Sequence, residues 1–157
     1  MARTHPGRGR RGRQLFVQEV RRHYPFTPLV GARVRRDFEW TGRRFPAGTL
    51  TLLDVYGTLH DHRLWERPYE FRPDRFKAPY DATYALIPQG GGDAETSHRC
   101  AGETITLEIM RRAAKMLCRG MNYRVPLQDP TIDHSRVPTF PASGFVISSV
   151  VPRDVTY

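Results

Sequence analysis

The first regular pattern of apolar residues begins after an opening stretch that has none. Phe16, Val20 and Tyr24 recur every four residues and therefore share one face of a helix. Pro25 disfavours helical backbone at the residue before it, which predicts the end of this helix. We therefore predict a helix that begins near Gln14 and stops before Pro25.

The next part of the chain alternates short strand-like runs with turns. The runs lie at residues 32–36, 38–40 and 49–56. They are separated by Thr41-Gly42 and by Pro46-Ala47-Gly48, and both sequences are typical of turns. We therefore predict short β-ribbons over this part of the chain.

The stretch 57–88 shows neither a helical nor a strand period and is rich in proline, aromatic and charged residues. A long stretch of this kind is either a functional coil with its own packing or a disordered segment. Its many aromatic side chains favour the packed coil: Trp65, Tyr69, Phe71, Phe76, Tyr80 and Tyr84.

A second helical pattern covers about residues 101–119, and Gly120 is a suitable C-terminal cap. The apolar stripe of this helix is predicted to be buried, with smaller and polar residues beside it. The stripe comprises Ile105, Ile109, Ala113 and Leu117, and Gly102, Thr106 and Met110 flank it. Strand-like segments follow near 123–125 and 144–151. Two principal helices with short β-ribbons predict the α+β class.

The positive charge of the chain is concentrated at its N-terminal end. The net charge is +9, and residues 1–22 supply +6 of it, through seven arginines against Glu19. A basic arm can bind nucleic acid by releasing counterions. All but two of the cations are arginines, however, which favours genomic base composition as the cause, and we expect no nucleic-acid partner. Residues 1–13 are predicted to be a basic, disordered arm ahead of one domain over 14–157.

Length and hydropathy limit the class of protein. A chain of 157 residues suffices for one domain with a modest core. No apolar run approaches the roughly 20 residues that cross a bilayer, and the N-terminus lacks the apolar stretch of a secretory signal. We expect a soluble cytoplasmic protein without a membrane span.

The chain has two cysteines, which are too few for a disulfide framework. Cys118 is interpreted as a reduced core thiol. Cys100 directly precedes the second helix, where the positive end of the helix dipole favours a thiolate. The glycines at 90–92 allow backbone to approach a flat ligand closely. These features by themselves leave a nucleophilic cysteine, a redox sensor, a core thiol and a metal ligand open.

Two other kinds of site were considered. A zinc site could draw on His60, His62, His98 and Cys100, but their spacing matches no zinc module. The glycine-rich loop before a helix also suggests phosphate binding. It lacks the Lys-Ser/Thr of a P-loop and the spacing of a dinucleotide fingerprint, so neither alternative is favoured.

Four motifs in order carry a family resemblance. The first, Glu19-Val20-Arg21-Arg22, looks like an ExxR helix. The third, Phe71-Arg72-Pro73-Asp74-Arg75-Phe76, looks like a PERF-type segment, and the second, residues 60–70, fits the usual approach to it. The fourth, His98-Arg99-Cys100-Ala101-Gly102-Glu103, looks like a heme-ligand loop and the start of the following helix. Over roughly residues 14–157 the chain resembles the C-terminal part of the cytochrome P-450 superfamily. The implied fold is a fragment of that mostly helical fold.

The ligand loop resembles one subgroup. It reads Pro88-Gln89-Gly90-Gly91-Gly92-Asp93 and then His98-Arg99-Cys100, without the phenylalanine of the common loop. This sequence is similar to that of the bacterial fatty-acid peroxygenases. Residues 16–28 and Gly144-Phe145-Val146 resemble the same subgroup.

The resemblance implies a role for each matching residue. Cys100 would be the axial thiolate ligand of a heme b iron, and such a ligand favours O–O cleavage. His98 and Arg33 would contact the heme propionates. A structural triad would hold the core together for folding and heme retention: Glu19, Arg22 and Arg75. Ser97 stands where many relatives have glycine.

Each supporting role has a plainer alternative. Glu19 and Arg22 could be a surface pair three residues apart, worth a few tenths of a kcal/mol. Arg75 could be a solvated loop charge, Arg33 a charge at a strand edge and His98 a loop cap. Only the order of the four motifs favours the roles that the family implies.

The implied activity is peroxide-driven hydroxylation or decarboxylation of a fatty acid. A dioxygen-dependent monooxygenase with a redox partner is the alternative, and the loop sequence disfavours it. Family members are about twice this length or more, and nothing in the chain resembles their oxygen-side helix. A non-catalytic remnant is therefore a third hypothesis, and we predict little activity for the isolated chain, so that its status as an enzyme stays open.

Overall fold

The computed structural model describes residues 6–153. Its first helix, α1, runs over Pro6–His23 and stops before Pro25, as predicted. It begins eight residues earlier than Gln14, so residues 6–13 are helical where the sequence predicted a disordered arm. Proline is tolerated in a first helical turn and arginine is a good helix former, so the helix extends backward. Residues 1–5 of that arm lie outside the described residues.

Helix α1 buries a different face from the one that its apolar period indicated. Phe16 and Tyr24 are exposed, whereas Val17, Glu19 and Arg22 are buried. Charged residues do not count toward an apolar stripe, so periodicity missed a face that buries an ion pair. The residues of the face that the apolar period indicated are exposed or half-buried.

Three antiparallel ribbons follow α1 along the chain. Strand β1, Leu29–Arg33, pairs with β4, Leu50–Asp54; β2, Phe38–Trp40, pairs with β3, Arg43–Phe45; and β5, Met121–Arg124, pairs with β6, Ser148–Pro152. In the first ribbon Leu29 lies opposite Asp54 and Arg33 opposite Leu50. The strand that was predicted at 32–36 therefore begins three residues earlier, because pairing with β4 sets its bounds.

The unpatterned stretch is a packed coil, and it contains most of the core. A short helix, α2, over Val55–Leu59 leads into it, so residues 55–56 are helical where a strand was predicted, and it contains a 3-10 helix over Pro73–Lys77. The core cluster consists of Val55, Leu59, Trp65, Phe76, Ala85, Leu86 and Ile87, with Leu15 of α1 packed against it. Of the six aromatic side chains that favoured a packed coil, Trp65 and Phe76 are buried and the other four are exposed.

The last helix, α3, runs over Glu103–Lys115 and continues into a π-helical turn at Met116–Gly120. The predicted burial of its apolar stripe is wrong: Ile105 is 65% exposed and Ile109 is 61% exposed. Ala113 and Leu117 are exposed as well. Helix α3 packs against α1, and its half-buried residues, among them Glu103, Thr106 and Met110, lie beside the apolar stripe. Periodicity identifies an apolar face but not the element that covers it.

Candidate functional site

The carboxylate of Glu19 lies at the centre of a buried ion cluster. Its oxygens accept hydrogen bonds from Nε and Nη2 of Arg22, both at 2.9 Å, and the backbone N–H of Arg72 donates at 2.7 Å. Nε of Arg75 lies 3.1 Å from Oε2. Burial alone raises the pKa of Glu19, but the hydrogen bonds from Arg22 and Arg72 outweigh it and hold that pKa below its ordinary value.

The two arginines also bind backbone oxygens of the coil. Arg22 donates from Nη1 to the carbonyl of Leu59 at 2.8 Å. Arg75 donates from Nη1 to Glu66 at 2.7 Å and from Nη2 to Arg67 at 3.1 Å. The cluster therefore ties α1 to the coil. Glu19 and Arg22 have no exposed side-chain surface, which rules out the surface-pair interpretation.

The cysteine loop is held by its own backbone. The N–H of Cys100 donates to the carbonyl of Gln89 at 2.8 Å. A turn forms where Asp93 accepts the N–H groups of Glu95 and Thr96, both at 2.9 Å. These backbone N–H groups lower the pKa of Asp93. The sulfur of Cys100 is thus presented by a loop that is anchored on both sides.

Gly90 lies where the two arms of this loop cross. Its φ is +90°, and a Cβ there would lie 2.1 Å from the carbonyl oxygen of His98. No side chain fits at that distance, and the backbone conformation itself favours glycine. The glycine-rich sequence is therefore a packing requirement of the loop that presents Cys100.

Cys100 is exposed and borders a pocket of about 1190 Å³. His98, Gly90 and Gly91 lie on the same wall. Most of the remaining lining is apolar and comes from α1, the turn after it, β1, β4 and the C-terminal segment: Val20, Tyr24, Phe26, Val30, Leu53, Ile132, Phe140 and Phe145. The face that the apolar period indicated therefore borders this pocket through Val20 of α1 and through Tyr24, directly after the helix.

The two residues predicted at the propionates differ in their position. His98 is exposed and borders the pocket. Arg33 is exposed on β1, does not border the pocket, and donates from Nη1 to the carbonyl of Gly48 at 3.1 Å. The structure thus brings His98 and Cys100 together and leaves Arg33 apart from them.

The ExxR helix, the packed coil and the cysteine loop follow one another in the order that the resemblance to one family implied. Residues 14–131 match the family model described as Cytochrome P450. The chain belongs to the cytochrome P450 family. The membership that the four motifs indicated is confirmed.

Curated cytochrome P450 relatives match at moderate identity. Nicotine N-demethylase CYP82E3 of Nicotiana tomentosiformis is 33% identical over 122 residues, which is 74% of this chain and 23% of the relative. Taurochenodeoxycholic 6 alpha-hydroxylase of Sus scrofa is 32% identical over 138 residues, which is 86% of this chain and 25% of the relative. The chain thus spans about a quarter of the length of these relatives.

Solved P450 structures match more strongly. Cytochrome P450SP alpha (CYP152B1) in complex with (R)-ibuprophen is 52% identical with a TM-score of 0.81, over 88% of this chain and 34% of that chain. Cytochrome P450EX alpha (CYP152N1) with myristic acid is 45% identical with a TM-score of 0.81, over 90% and 34%. A variant of cytochrome P450 OleT in complex with arachidonic acid is 45% identical with a TM-score of 0.79, over 93% and 35%. The predicted α+β part of the P450 fold is confirmed.

Membership in the P450 family implies heme, and the lining of the pocket fits such a group. A flat apolar ring system needs an apolar enclosure and one wall without side chains. The apolar residues of α1, β1 and β4 supply the first, and Gly90 and Gly91 supply the second. Cys100 contributes a thiol on that same wall.

A second ion cluster lies beside the cysteine loop, and sequence reasoning missed it. The carboxylate of Glu103 accepts from Nη2 of Arg21 at 2.5 Å and from Nε of Arg99 at 2.5 Å. Burial raises the pKa of Glu103, but the hydrogen bonds from Arg99 and Arg21 lower it further than burial raises it. The spacing of four residues between Arg99 and Glu103 is not a helical signal, because Arg99 lies before α3. Arg21 lies 82 residues from Glu103, and no local pattern indicated that contact.

A histidine cluster, which sequence reasoning also missed, lies next to Arg22. Nδ1 of the buried His60 is 2.9 Å from the carbonyl oxygen of Tyr56, and their rings stack at 4.1 Å. The ring of His23 lies 5.4 Å from that of His60. Burial lowers the pKa of both histidines, and the Arg22 guanidinium lowers it further.

The histidines considered for zinc are not grouped around Cys100. His60 is buried among aromatic rings, and His62 is exposed. Among residues 6–153, no group of three or more His, Cys, Asp or Glu side chains is placed to hold a metal ion. Within the same residues, no helix is long and apolar enough to cross a bilayer.

Proposed function

We propose that this chain forms the heme-ligand side of a P450 of the fatty-acid peroxygenase type, with Cys100 as the axial ligand of heme b. One observation carries the proposal: Cys100 lies on a backbone-anchored loop and borders a large apolar pocket beside two glycines. A heme bound through a thiolate supplies the O–O cleavage chemistry of this family.

The residues of the chain divide the work of holding such a group. Cys100 would supply the thiolate to the iron. His98, on the same wall of the pocket, would donate to a propionate, and the apolar lining would exclude water from the ring system. Glu19, Arg22 and Arg75 hold α1 against the coil and so keep the pocket wall in place. Arg33 would have to leave Gly48 before it could reach a propionate.

The peroxygenase assignment rests on the sequence of the ligand loop and on the fatty acids that are bound in similar solved structures. Two solved structures at 45% identity hold myristic acid and arachidonic acid. We infer that the complete site accepts a fatty acid and uses hydrogen peroxide. The chain spans about a third of those structures. The fatty-acid substrate and the activity of the complete protein are therefore part of this proposal.

A monooxygenase that uses dioxygen and a redox partner is the second candidate. The observation in its favour is that a relative at 29% identity, from Papaver somniferum, is named methyltetrahydroprotoberberine 14-monooxygenase. The higher identity to the fatty-acid complexes favours the first candidate. Product formation from myristic acid with hydrogen peroxide alone, set against formation with dioxygen and a reductase system, separates the two.

The first test is an absorption spectrum of the purified chain after addition of heme, then reductant and carbon monoxide. We expect a thiolate-type Soret band that is lost in Cys100→Ser and kept in Cys118→Ser. The interpretation of Cys118 as a core thiol is wrong: it is an exposed cysteine in the π-helical turn after α3, and it therefore serves as a matched control for the exposed Cys100. A band that persists in Cys100→Ser would overturn the ligand assignment. No band in the unsubstituted chain would overturn heme binding by this chain and would favour a motif retained only as sequence.

A further inference from the structure

The Arg21–Glu103–Arg99 cluster joins helix α1 to the cysteine loop. Glu103 accepts Nη2 of Arg21 through Oε1, and it accepts Nε of Arg99 through Oε2, both at 2.5 Å. A third bond runs from Nη2 of Arg99 to Oε1 at 3.1 Å. The carboxylate therefore bridges two guanidinium groups that come from different parts of the chain.

This cluster contains the residue directly before Cys100 and one three residues after it, and both are held by hydrogen bonds. Arg99 precedes the cysteine, and its Nη1 also donates to the carbonyl of Ala82 at 3.1 Å. Glu103 follows the cysteine, and its backbone N–H donates to the carbonyl of Cys100 at 3.1 Å. Cys100 also donates its own backbone N–H to the carbonyl of Gln89 at 2.8 Å. The direction of the cysteine side chain thus depends on residues that one carboxylate holds together.

Arg21 has few other hydrogen-bond acceptors that could replace Glu103. Its side chain is almost fully buried, its Nη1 donates to Oε1 of Gln18 at 2.6 Å, and its Nε has no hydrogen-bond partner among the described residues. Hydrogen bonds between charged groups are about twice as strong as neutral ones. A buried charge that loses its partner is strongly destabilising. Neutralising Glu103 would leave this buried guanidinium with neutral acceptors and without a counter-charge, so the local structure has to move.

Arg21 is also adjacent in sequence to Arg22. Helix α1 therefore carries two neighbouring arginines with different tasks: Arg22 holds the coil through Glu19, and Arg21 holds the cysteine loop through Glu103. The two clusters do not share a carboxylate. Each can be broken without removing the other, which makes the role of the second one testable by itself.

We propose that Arg21, Glu103 and Arg99 are positioning residues that hold Cys100 in the orientation needed to ligate a metal-bearing ring. The ligand role rests on the proposed function, whereas the holding of the loop does not. Glu103 acts through the two arginines and the backbone of Cys100.

The decisive variant is Glu103→Gln, which keeps the shape of the side chain and removes its charge. Its matched control is Glu108→Gln, five residues further along α3. Glu108 also bridges two arginines, Arg112 at 2.8 Å and Arg111 at 3.4 Å, but on the solvent side of the helix. A general effect of removing a carboxylate from α3 would appear in both variants.

The first readout is hydrogen exchange of the Cys100 amide in the heme-free chain. We expect exchange to be about tenfold faster or more in Glu103→Gln, the loss that one charge-assisted hydrogen bond implies, and unchanged in Glu108→Gln. The amide of Tyr24, which donates to the carbonyl of Val20 in α1, serves as an internal reference. Equal acceleration at Cys100 and Tyr24 would mean general destabilisation and would overturn a positioning role, as would no acceleration at Cys100.

The second readout is the fraction of bound heme that shows the thiolate-type band with carbon monoxide. We expect Glu103→Gln to lower this fraction while total bound heme stays the same, and Glu103→Asp to restore part of it. An unchanged fraction would overturn the orientation role. If the unsubstituted chain shows no such band, the proposed function fails, and the exchange measurement still decides whether the cluster holds the loop.

Discussion

The carboxylate of Glu19 and the guanidinium of Arg22 form a bidentate pair, with both N···O distances at 2.9 Å and no exposed surface on either side chain. The two residues are three apart on α1, a spacing that on a helix surface contributes only a few tenths of a kcal/mol. The same spacing in the interior has a different consequence, because these charges are removed from water and the single carboxylate of Glu19 compensates both Arg22 and Arg75.

We therefore expect Glu19→Gln to lower the free energy of unfolding by about 3–5 kcal/mol, since it leaves two arginines buried without a counter-charge. Urea unfolding followed by circular dichroism measures this. The control is Asp74→Asn, which breaks another pair three residues apart, to Lys77 at 2.7 Å, on the surface. That change should cost at most about 1 kcal/mol. Similar losses in the two variants would contradict the role assigned to the buried cluster.

The ordered motifs predicted the members of the Glu19 cluster, but their spacing did not. Arg75 lies 56 residues from Glu19, and only the family resemblance related the two. The contact between Arg21 and Glu103 spans 82 residues; each residue stands within one of the motifs, but no motif relates the one to the other. Local rules describe neighbours along a helix, whereas a buried ion pair is fixed by the path of the chain.

Periodicity predicted the helices better than their environments. It located α3 and the end of α1 within a few residues. It also assigned burial to Ile109, which is exposed, because an apolar stripe carries no information about its partner. At the end of α1 the stripe of Val20 and Tyr24 borders the pocket of Cys100 instead of the core. A stripe that lines a ligand pocket and one that packs on a neighbour look the same in sequence.

Acid should destabilise the chain in two steps. Burial and Arg22 lower the pKa of His60 and His23 below 6.5 in the folded state, so the unfolded chain binds more protons than the folded chain below that pH. Stability is thus fully present above pH 6.5 and falls as the pH drops below it. Glu19, whose pKa is lowered from 4.5, adds a second loss below pH 4.5.

Replacement of His60 isolates the first step. The variant His60→Gln should show a smaller decrease of unfolding free energy between pH 6.5 and about 5 than the unsubstituted chain, because one titrating group is gone. Urea titrations of the two proteins at several pH values provide the comparison. A slope that is the same in both would remove His60 from the explanation.

The loop crossing at Gly90 should tolerate no side chain. In Gly90→Ala the new Cβ would lie 2.1 Å from the carbonyl oxygen of His98, so the arms of the loop must separate. We expect loss of the thiolate-type heme band. Gly48→Ala is the control, since its φ is +86° and nothing lies within 4 Å of its Cβ position. That variant bears only the backbone penalty, about 1–2 kcal/mol, and should keep the band. Equal retention of the band would mean that the crossing does not position Cys100.

The exposed stripe of α3 gives the last prediction. Ile109→Gln should change the free energy of unfolding by no more than about 0.5 kcal/mol, because a surface position away from special contacts has little effect. Leu59→Ala, at a fully buried core position, should cost about 2–5 kcal/mol. Urea unfolding at two protein concentrations measures both. A cost for Ile109→Gln that approaches that of Leu59→Ala and grows with protein concentration would mean that a second copy of the chain covers this stripe in solution. A cost that is large at both concentrations would mean that α3 packs within the chain on the face that is exposed in this structure.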